Sequence, residues 1–206
     1  QAEEKRILSR EVRIMDNQEM WKIFEESGAA LQGHFLLTSG RHSDRYMQCA
    51  KLFVYPDKAE KICAALAEKL KGFGIELVAA PAIGGIIMGY EMARQLKVPN
   101  VFLERQDGVM TLRRGFTVEP GTKVAVVEDV VTTGGSVREV VEVLKNLGAE
   151  VVAVASVVDR SAGKVDFGLP YVSLLSMDIT SYEPENCPLC REGKTELVKP
   201  GRTGKK

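Results

Sequence analysis

The stretch that decides the fold is residues 123–136, KVAVVEDVVTTGGS. A run of apolar β-formers leads to two adjacent acids, Glu128 and Asp129, and two more valines lead to the Thr-Thr-Gly-Gly of residues 132–135. An apolar run of this length is typical of a strand buried on both faces of a parallel sheet. The hydroxyl side chains and glycines after it predict a turn that opens a helix. The predicted order is therefore buried strand, acidic pair, turn and helix.

The polar groups of this stretch suit a sugar phosphate. Backbone N–H groups at a turn and a helix start bind phosphate, and glycines let the backbone come close. The two acids accept hydrogen bonds from ribose hydroxyls. An ordinary strand with a helix cap is the alternative, but two carboxylates at the end of a buried strand are costly unless something binds them. The stretch lacks the Gly-Lys-Ser/Thr ending of a nucleoside-triphosphate P-loop.

These residues resemble the signature of the phosphoribosyltransferases, enzymes that use 5-phosphoribosyl 1-pyrophosphate (PRPP). The resemblance includes the apolar strand, the Glu-Asp pair, two aliphatic residues and Thr-Thr-Gly-Gly. It implies that the acids hold the ribose and that the turn holds the 5′-phosphate.

Strands and helices alternate along most of the chain, which predicts an α/β fold with a doubly wound, mainly parallel sheet. Predicted helices are 16–30, with Asp16 as N-cap, 56–71, 85–96 and 136–147. Predicted strands are 34–37, 45–49, 75–81, 100–104, 123–130, 151–158 and 171–177. Ligands of such a sheet bind beyond the carboxyl ends of its strands. We expect a hood within residues 1–70, a core at 71–180, and a C-terminal segment at 181–206 whose polar end is partly mobile.

Two further motifs follow predicted strands. Ala82, Ile83, Gly84 and Gly85 form a turn of small residues that suits a pyrophosphate, or else only a tight strand-to-helix turn. Arg160 follows the strand VVAVASVV, where its guanidinium suits a planar oxygen group, or else only a surface salt bridge.

The segment FLLTSGRHSDRY, residues 35–46, narrows the resemblance to the orotate phosphoribosyltransferases. In that family a Ser-Gly-Arg-x-Ser turn precedes a strand that covers the pyrimidine. The resemblance extends from about residue 16 to about residue 190, and the Cys-Pro-Leu-Cys of residues 187–190 resembles one branch of the family. It implies the type I phosphoribosyltransferase fold and the transfer of the phosphoribosyl group of PRPP to orotate, which gives orotidine 5′-monophosphate and pyrophosphate.

The resemblance also implies the site residues. The implied catalytic residues are Glu128, Asp129 and Arg105. The implied PRPP contacts are Ala82, Ile83, Gly84, Gly85, Arg105, Glu128, Asp129, Val130, Val131, Thr132, Thr133, Gly134, Gly135 and Ser136. The implied orotate contacts are Ser39, Gly40, Arg41, Tyr46, Met47, Thr132 and Arg160. The implied cofactor is Mg²⁺, with no direct side-chain ligand predicted and Asp129 as the candidate contact through water. The implied setting is a cytoplasmic homodimer whose active site is shared between subunits.

A mobile loop is expected at residues 104–115, with Arg105, Arg113 and Arg114 as its cations. Many family members carry Lys and His in this loop, and Lys where this chain has Thr38 and Gly84. Either the arginines replace those cations, or Mg²⁺ and backbone donors neutralise the pyrophosphate.

Composition excludes other classes of protein. Lys plus Arg number 28 and Asp plus Glu number 28, so the balanced charge argues against broad nucleic-acid binding. No apolar run is long and unbroken enough to span a membrane.

A purine phosphoribosyltransferase and a regulator that binds PRPP without catalysis remain as competing hypotheses.

The chain has four cysteines, Cys49, Cys63, Cys187 and Cys190, and the pattern around three of them predicts a role. Cys63 lies in a helical pattern and is predicted to be a core residue. Cys187 and Cys190 have the spacing of a metal knuckle, but no second Cys pair is present and His34 and His42 are far away in sequence. A reduced surface turn is the favoured interpretation; a zinc site shared between chains and a redox pair stay open.

Overall fold

The computed structural model describes residues 15–37, 39–177 and 180–200. Within them, strands β1 to β9 span Ala30–Leu36, His42–Met47, Leu77–Pro81, Asn100–Gln106, Val109–Leu112, Lys123–Val131, Glu150–Asp159, Tyr171–Ser176 and Leu197–Val198. Helices α1 to α5 span Asn17–Glu26, Pro56–Lys69, Gly85–Leu96, Gly135–Asn146 and Pro188–Glu192. Two 3₁₀ turns span Cys49–Val54 and Pro184–Asn186. No helix in this part of the chain has the length and apolar character needed to cross a bilayer.

Six strands form the large sheet in the order β5-β4-β3-β6-β7-β8. All neighbours pair in parallel except β4 and β5, which are antiparallel. Every residue of β3 is buried, and β6 and β7 are buried over most of their length, as expected for central strands covered on both faces. The predicted doubly wound, mainly parallel sheet is confirmed.

Helices cover both faces of this sheet. On one face, α2 and α3 contribute Leu66 and Met88 to a core that includes Val127. On the other face, Val140 and Leu144 of α4 belong to a second core formed with the sheet. Cys63 is fully buried in the first core, as its helical spacing predicts. The two cores hold the carboxyl end of β6 in a fixed position, and this end carries the acidic pair.

The hood consists of α1 and a small sheet of order β2-β1-β9. Asp16 caps α1 as predicted, because its side chain accepts a hydrogen bond from the Glu19 N–H at 2.8 Å. Strand β9 pairs in parallel with β1, so residues 197–198 lie against the hood. The C-terminal segment is therefore docked up to this point, whereas its polar end was predicted to be mobile. Residues 201–206, which include Arg202, Lys205 and Lys206, lie outside the described residues.

The structure shows a β-hairpin where a loop was predicted at residues 104–115, and the predicted mobility of this segment stays a prediction. Strand β4 continues to Gln106, and β5 returns beside it as an antiparallel hairpin. Asp107 and Gly108 form its two-residue turn with φ angles of 52° and 85°. Asp-Gly with positive φ at both positions is typical of a type I′ hairpin turn. This local signal favours a hairpin over an open loop, and the buried Met110 side chain anchors β5.

The structure also corrects the interpretation of residues 187–190 as a surface turn. Cys187 is fully buried, and residues 188–192 form the short helix α5. The neighbours that bury Cys187 come from the hood and could not be located from the spacing of the two cysteines.

Candidate active site

The acidic pair lies at the carboxyl end of β6. Asp129 Oδ1 accepts a hydrogen bond from the Val130 N–H at 2.8 Å, and Glu128 Oε1 accepts one from the Asp129 N–H at 3.2 Å. Burial, followed by the charge of the neighbouring Asp129, raises the pKa of Glu128 to about 8. Burial also raises the pKa of Asp129. Burial therefore disfavours the charged form of the pair, and hydroxyl donors or a cation would favour it.

The turn after the acids forms a small cradle. A cavity of about 80 Å³ is lined by Glu128, Val130, Val131, Thr132, Thr133, Gly134, Gly135, Ser136 and Val137. Gly134 precedes α4 with φ 75° and ψ 9°, a left-handed conformation that favours glycine. The first N–H groups of α4 have no partner within the helix, and such groups bind phosphate. The predicted turn and helix start are present, and phosphate binding there stays a prediction.

Arg138 supports this cradle and was missed by the sequence analysis. Its Nη1 donates to the Thr133 carbonyl at 2.6 Å, and its Nη2 donates to the Asp166 carbonyl at 2.9 Å. Its guanidinium also lies 5.2 Å from the centre of the Phe167 ring. These contacts connect the turn to residues 165–167. Its position four residues after Gly134 on α4 was the available signal, but its partners are set by the tertiary structure.

The predicted pyrophosphate turn lies beside the acids. The Ala82 N–H donates to the Leu103 carbonyl at 2.6 Å, which ties the turn to β4. A Cβ added to Gly84 would lie 3.5 Å from Asp129 Oδ1, and one added to Gly85 would lie 3.4 Å from Glu128 Oε1. The two glycine motifs therefore meet at one edge of the sheet. Because neither glycine has a side chain, the space above the carboxylates stays open.

Arg160 lies at the end of β7, next to the signature strand. Its backbone N–H donates to the Val131 carbonyl at 2.8 Å. Its Nε is buried and has no hydrogen-bond partner among residues 15–37, 39–177 and 180–200. A buried N–H of a charged group is costly when unpaired. Arg160 therefore has an unused donor next to the cradle.

Asp159 organises the loop that follows Arg160. Its carboxylate accepts hydrogen bonds from the Ser161 N–H at 2.7 Å and the Gly163 N–H at 3.0 Å. Burial raises the pKa of Asp159, but the hydrogen bonds outweigh it and the pKa lies below its usual range. No role for Asp159 was predicted from the sequence, and its carboxylate is the group that positions this loop.

The hood contains a separate cavity of about 200 Å³, and Tyr46 and Met47, the residues predicted to cover the base, are part of its lining. The lining residues are Trp21, Glu25, Ala30, Leu31, Gln32, Arg45, Tyr46, Met47 and Met177. The Met177 N–H donates to the Asp159 carbonyl at 2.8 Å, so the wall of this cavity is bonded to the strand end that precedes Arg160. The predicted covering role of Tyr46 and Met47 stays a prediction.

Arg41 is engaged by the C-terminal segment. Its Nε donates to Ser181 Oγ at 2.8 Å, its Nη2 donates to the Ser181 carbonyl at 2.7 Å, and its Nη1 pairs with Glu183. Ser39 and Gly40 are exposed in the turn before it, and Thr38 lies outside the described residues. In the structure Arg41 therefore connects the hood to the C-terminal segment. The predicted contact of Arg41 with orotate stays a prediction.

The three arginines of the hairpin are paired with acids. Arg105 bonds Glu139 of α4, with Nη2 to Oε1 at 3.0 Å. Arg114 Nε donates to Glu104 Oε1 at 2.9 Å, and Arg113 lies 3.4 Å from the same oxygen. These pairs are exposed, and exposed pairs contribute only about 0–1 kcal/mol. They are therefore easily exchanged for contacts with a substrate.

Comparison with known proteins agrees with this geometry. The family model described as "Phosphoribosyl transferase domain" matches residues 55–183. An orotate phosphoribosyltransferase of Carboxydothermus hydrogenoformans is 59% identical over 185 residues, which cover 89% of this chain and 96% of the relative. The chain belongs to the orotate phosphoribosyltransferase family.

Two further members of the orotate phosphoribosyltransferase family match this chain over most of its length. The Thermotoga maritima enzyme is 56% identical over 185 residues, which cover 90% of this chain and 98% of that one. The crystal structure of the orotate phosphoribosyltransferase from Aeropyrum pernix matches with a TM-score of 0.64 and 26% identity, covering 76% of this chain and 92% of that one. The similarity therefore includes most of the length of each protein and extends beyond the phosphoribosyl-binding core.

Proposed function

We propose that the strand ends described above form the active site of this orotate phosphoribosyltransferase. The enzyme transfers the 5-phosphoribosyl group of PRPP to orotate, giving orotidine 5′-monophosphate and pyrophosphate in pyrimidine biosynthesis. The observation that carries the assignment is convergence: the acids of β6, the cradle before α4, and Gly84 and Gly85 meet at one edge of the sheet. Open α/β sheets bind their ligands at such an edge.

Each part of this edge matches one part of PRPP. Glu128 and Asp129 accept hydrogen bonds from the 2′- and 3′-hydroxyls of the ribose. The 5′-phosphate occupies the cradle, where its oxygens meet the N–H groups and hydroxyls of Thr132, Thr133, Gly134, Gly135 and Ser136. Val130 and Val131 form its wall. The pyrophosphate lies against the turn of Ala82, Ile83, Gly84 and Gly85.

The charges of the site suit a dissociative transfer. Breaking the anomeric C–O bond develops positive charge on the ribose ring, and the carboxylates of Glu128 and Asp129 stabilise that charge. The attacking atom is a ring nitrogen of orotate, so the reaction requires no Ser, Cys or His nucleophile. The protein's task is to hold the two reactants in line and to place fixed charges beside the bond that breaks.

The donor set fits Mg²⁺, the cofactor implied by the family resemblance. Mg²⁺ prefers oxygen ligands and commonly keeps several waters while bound to one or two carboxylates and the phosphates of a substrate. Asp129 is the residue that would hold it, through water, because its buried carboxylate lies beside the open space above Gly84. When bound, the ion neutralises charge on the pyrophosphate. Arg105 of the hairpin supplies further positive charge after leaving Glu139.

Arg160 recognises orotate in this proposal, together with Thr132 and the hood residues Tyr46 and Met47. Its unpaired Nε suits the carboxylate or a carbonyl of the base.

We expect Arg160→Ala to raise the KM for orotate about 10-fold or more, since a hydrogen bond to a charged group contributes about 1.5–3 kcal/mol. Initial rates at varied orotate and saturating PRPP measure this. The exposed Arg94→Ala, on α3, is the control and should leave both KM values unchanged. A larger effect of Arg160→Ala on the KM for PRPP would contradict the assignment.

Two copies of the chain share this active site in the proposal. Ile87 and Tyr90, three residues apart on one side of α3, are 58% and 63% exposed, and Ile83 in the turn before α3 is 85% exposed. This apolar row begins in the pyrophosphate turn itself, so a second copy seated on it would lie beside the site. Light scattering should therefore give twice the chain mass, and Ile87→Glu should halve it. A monomeric mass for the unmodified chain would contradict the proposal.

One assay separates this function from its competitors. The protein is mixed with Mg²⁺, PRPP and either orotate, hypoxanthine or adenine, and loss of orotate is followed by its ultraviolet absorbance. Consumption of orotate alone is the expected result. Consumption of a purine base instead would favour a purine phosphoribosyltransferase. Binding of PRPP without turnover of any base would favour a regulator.

A further inference from the structure

A second cluster of reactive side chains lies between the hood and the C-terminal segment. It consists of His34 on β1, His42 at the start of β2, and Cys187 and Cys190 around α5. One ligand atom of each residue lies within 4.8 Å of the others. The first three side chains are buried and Cys190 is exposed. None of these residues lines the cradle or the hood cavity.

Hydrogen bonding alone does not satisfy this cluster. His34 Nδ1 lies 3.3 Å from the Thr195 carbonyl, and a carbonyl only accepts, so this nitrogen carries the proton. The opposite nitrogen, Nε2, then has a single lone pair. Three groups face it: His42 Nδ1 at 3.1 Å, Cys187 Sγ at 3.5 Å and Cys190 Sγ at 3.6 Å. One lone pair accepts one hydrogen bond, so the convergence is better explained by a shared cation.

The spacing of the four atoms fits a tetrahedral metal ion. Zinc bound at about 2.3 Å from sulfur and about 2.0–2.1 Å from nitrogen places its ligand atoms roughly 3.3–3.8 Å apart. The distances from His34 Nε2 to Cys187 Sγ and Cys190 Sγ, 3.5 and 3.6 Å, lie within this range. The 3.3 Å between Cys190 Sγ and His42 Nδ1 lies at its lower limit, and the 3.1 Å between the two ring nitrogens lies just below it. Cys187 and Cys190 are separated by two residues at the start of a short helix, which is the spacing of a zinc knuckle.

We propose that His34, His42, Cys187 and Cys190 form a structural zinc site within one chain. Thiolate and imidazole ligands together favour Zn²⁺ over Mg²⁺ or Ca²⁺, which prefer oxygen. Four protein ligands close the coordination sphere, which is typical of structural rather than catalytic sites. The Thr195 carbonyl orients His34 as an outer-shell partner. The site is independent of the proposed function.

The ion joins the C-terminal segment to the strands of the hood. His42 and Tyr182 already exchange two backbone hydrogen bonds of 2.8 Å, and Ser43 Oγ donates to the Thr180 carbonyl at 2.8 Å. These contacts bridge about 140 residues of chain, so closing them has a substantial entropic cost. A metal that binds only the folded arrangement offsets this cost and stabilises the hood.

Metal content and cobalt spectroscopy test the site directly. Full-length protein, purified without chelator under reducing conditions, should contain one zinc per chain. After the zinc is removed with a chelator, Co²⁺ should bind with the visible absorption of a tetrahedral thiolate complex. Absence of zinc together with failure to bind Co²⁺ would overturn the proposal. A Cys187–Cys190 disulfide in protein purified without reductant and carrying no zinc would replace it with a redox pair.

A pair of variants separates metal binding from folding. Cys190→Ala removes an exposed ligand and should weaken zinc binding by at least roughly 10-fold, since even outer-shell changes cost 10–100-fold. Its Tm should fall below that of the unmodified protein and should no longer respond to chelator. Cys63→Ala, which changes a buried cysteine outside the cluster, should keep one zinc and a chelator-sensitive Tm. Full zinc content and affinity in Cys190→Ala would exclude this ligand set.

Discussion

Asp129→Asn is expected to lose most of its turnover while the chain stays at least as stable as before. The substitution removes a charge whose interaction with the ribose strengthens as positive charge develops on the sugar. Removing one such fixed contact commonly lowers kcat by about 10²–10³. The free energy of unfolding is not expected to fall, because Asp129 is 8% exposed and lies beside Glu128. The substitution removes one of two neighbouring buried carboxylate charges, which are costly to bury together. Orotate consumption at saturating substrates and a thermal unfolding curve measure the two effects.

The control for this variant is Asp57→Asn, which makes the same chemical change in the exposed first turn of α2. It should leave both turnover and Tm unchanged. Near-normal turnover of Asp129→Asn would remove the ribose contact from the mechanism. A large fall in its Tm would show that Asp129 supports the fold instead.

Gly134→Ala is expected to damage the phosphate cradle and the fold together. Gly134 has a φ of +75°, which L-residues adopt only with strain, and an added Cβ would lie 2.8 Å from Phe167 Cε1 and 3.0 Å from Val165 Cγ1. Both side chains are packed beneath the turn, so the turn or its support must shift. We expect a loss of roughly 1–3 kcal/mol of stability. The KM for PRPP should rise because the N–H groups that face the phosphate move with the turn.

Gly163→Ala is the matched control for this steric argument. Gly163 has a φ of +76°, but an added Cβ there would meet nothing within 4 Å. It therefore tests the backbone strain without the clash. Urea unfolding and PRPP titration of both variants separate the contributions. Equal losses at the two positions would show that conformation alone explains the effect and that Phe167 and Val165 do not support the cradle.

Local sequence signals predicted much of the fold. Helix α3 was predicted to the residue, and β6 to within one residue, because an apolar period and a glycine-bounded turn are visible within a short window. The cradle was predicted for the same reason: strand, acids, turn and helix follow one another without interruption. The Asp107-Gly108 turn carried an equally local signal, but it was outweighed by the expectation of a loop.

Contacts between distant segments were not predictable in this way. Arg138 bonds the carbonyls of Thr133 and Asp166, and nothing near it in sequence indicates the second partner. Arg41 belongs to a predicted hood motif, yet its guanidinium bonds Ser181 and Glu183. In each case a long side chain reaches a partner that only tertiary packing brings near: the loop after β7 for Arg138 and the C-terminal segment for Arg41.

By itself, the sequence determined the sheet, the turn before α4 and the acidic pair at the end of β6, because each depends on residues close together in the chain. Only the tertiary structure decided what surrounds the Cys187–Cys190 pair. Spacing alone favoured a surface turn, since the two histidines lie some 150 residues away. Pairing β1 with β2 and docking α5 against them brings four ligand atoms within 4.8 Å. The ligands of one metal ion must lie close together in space, and the number of residues between them in the chain does not show whether they do.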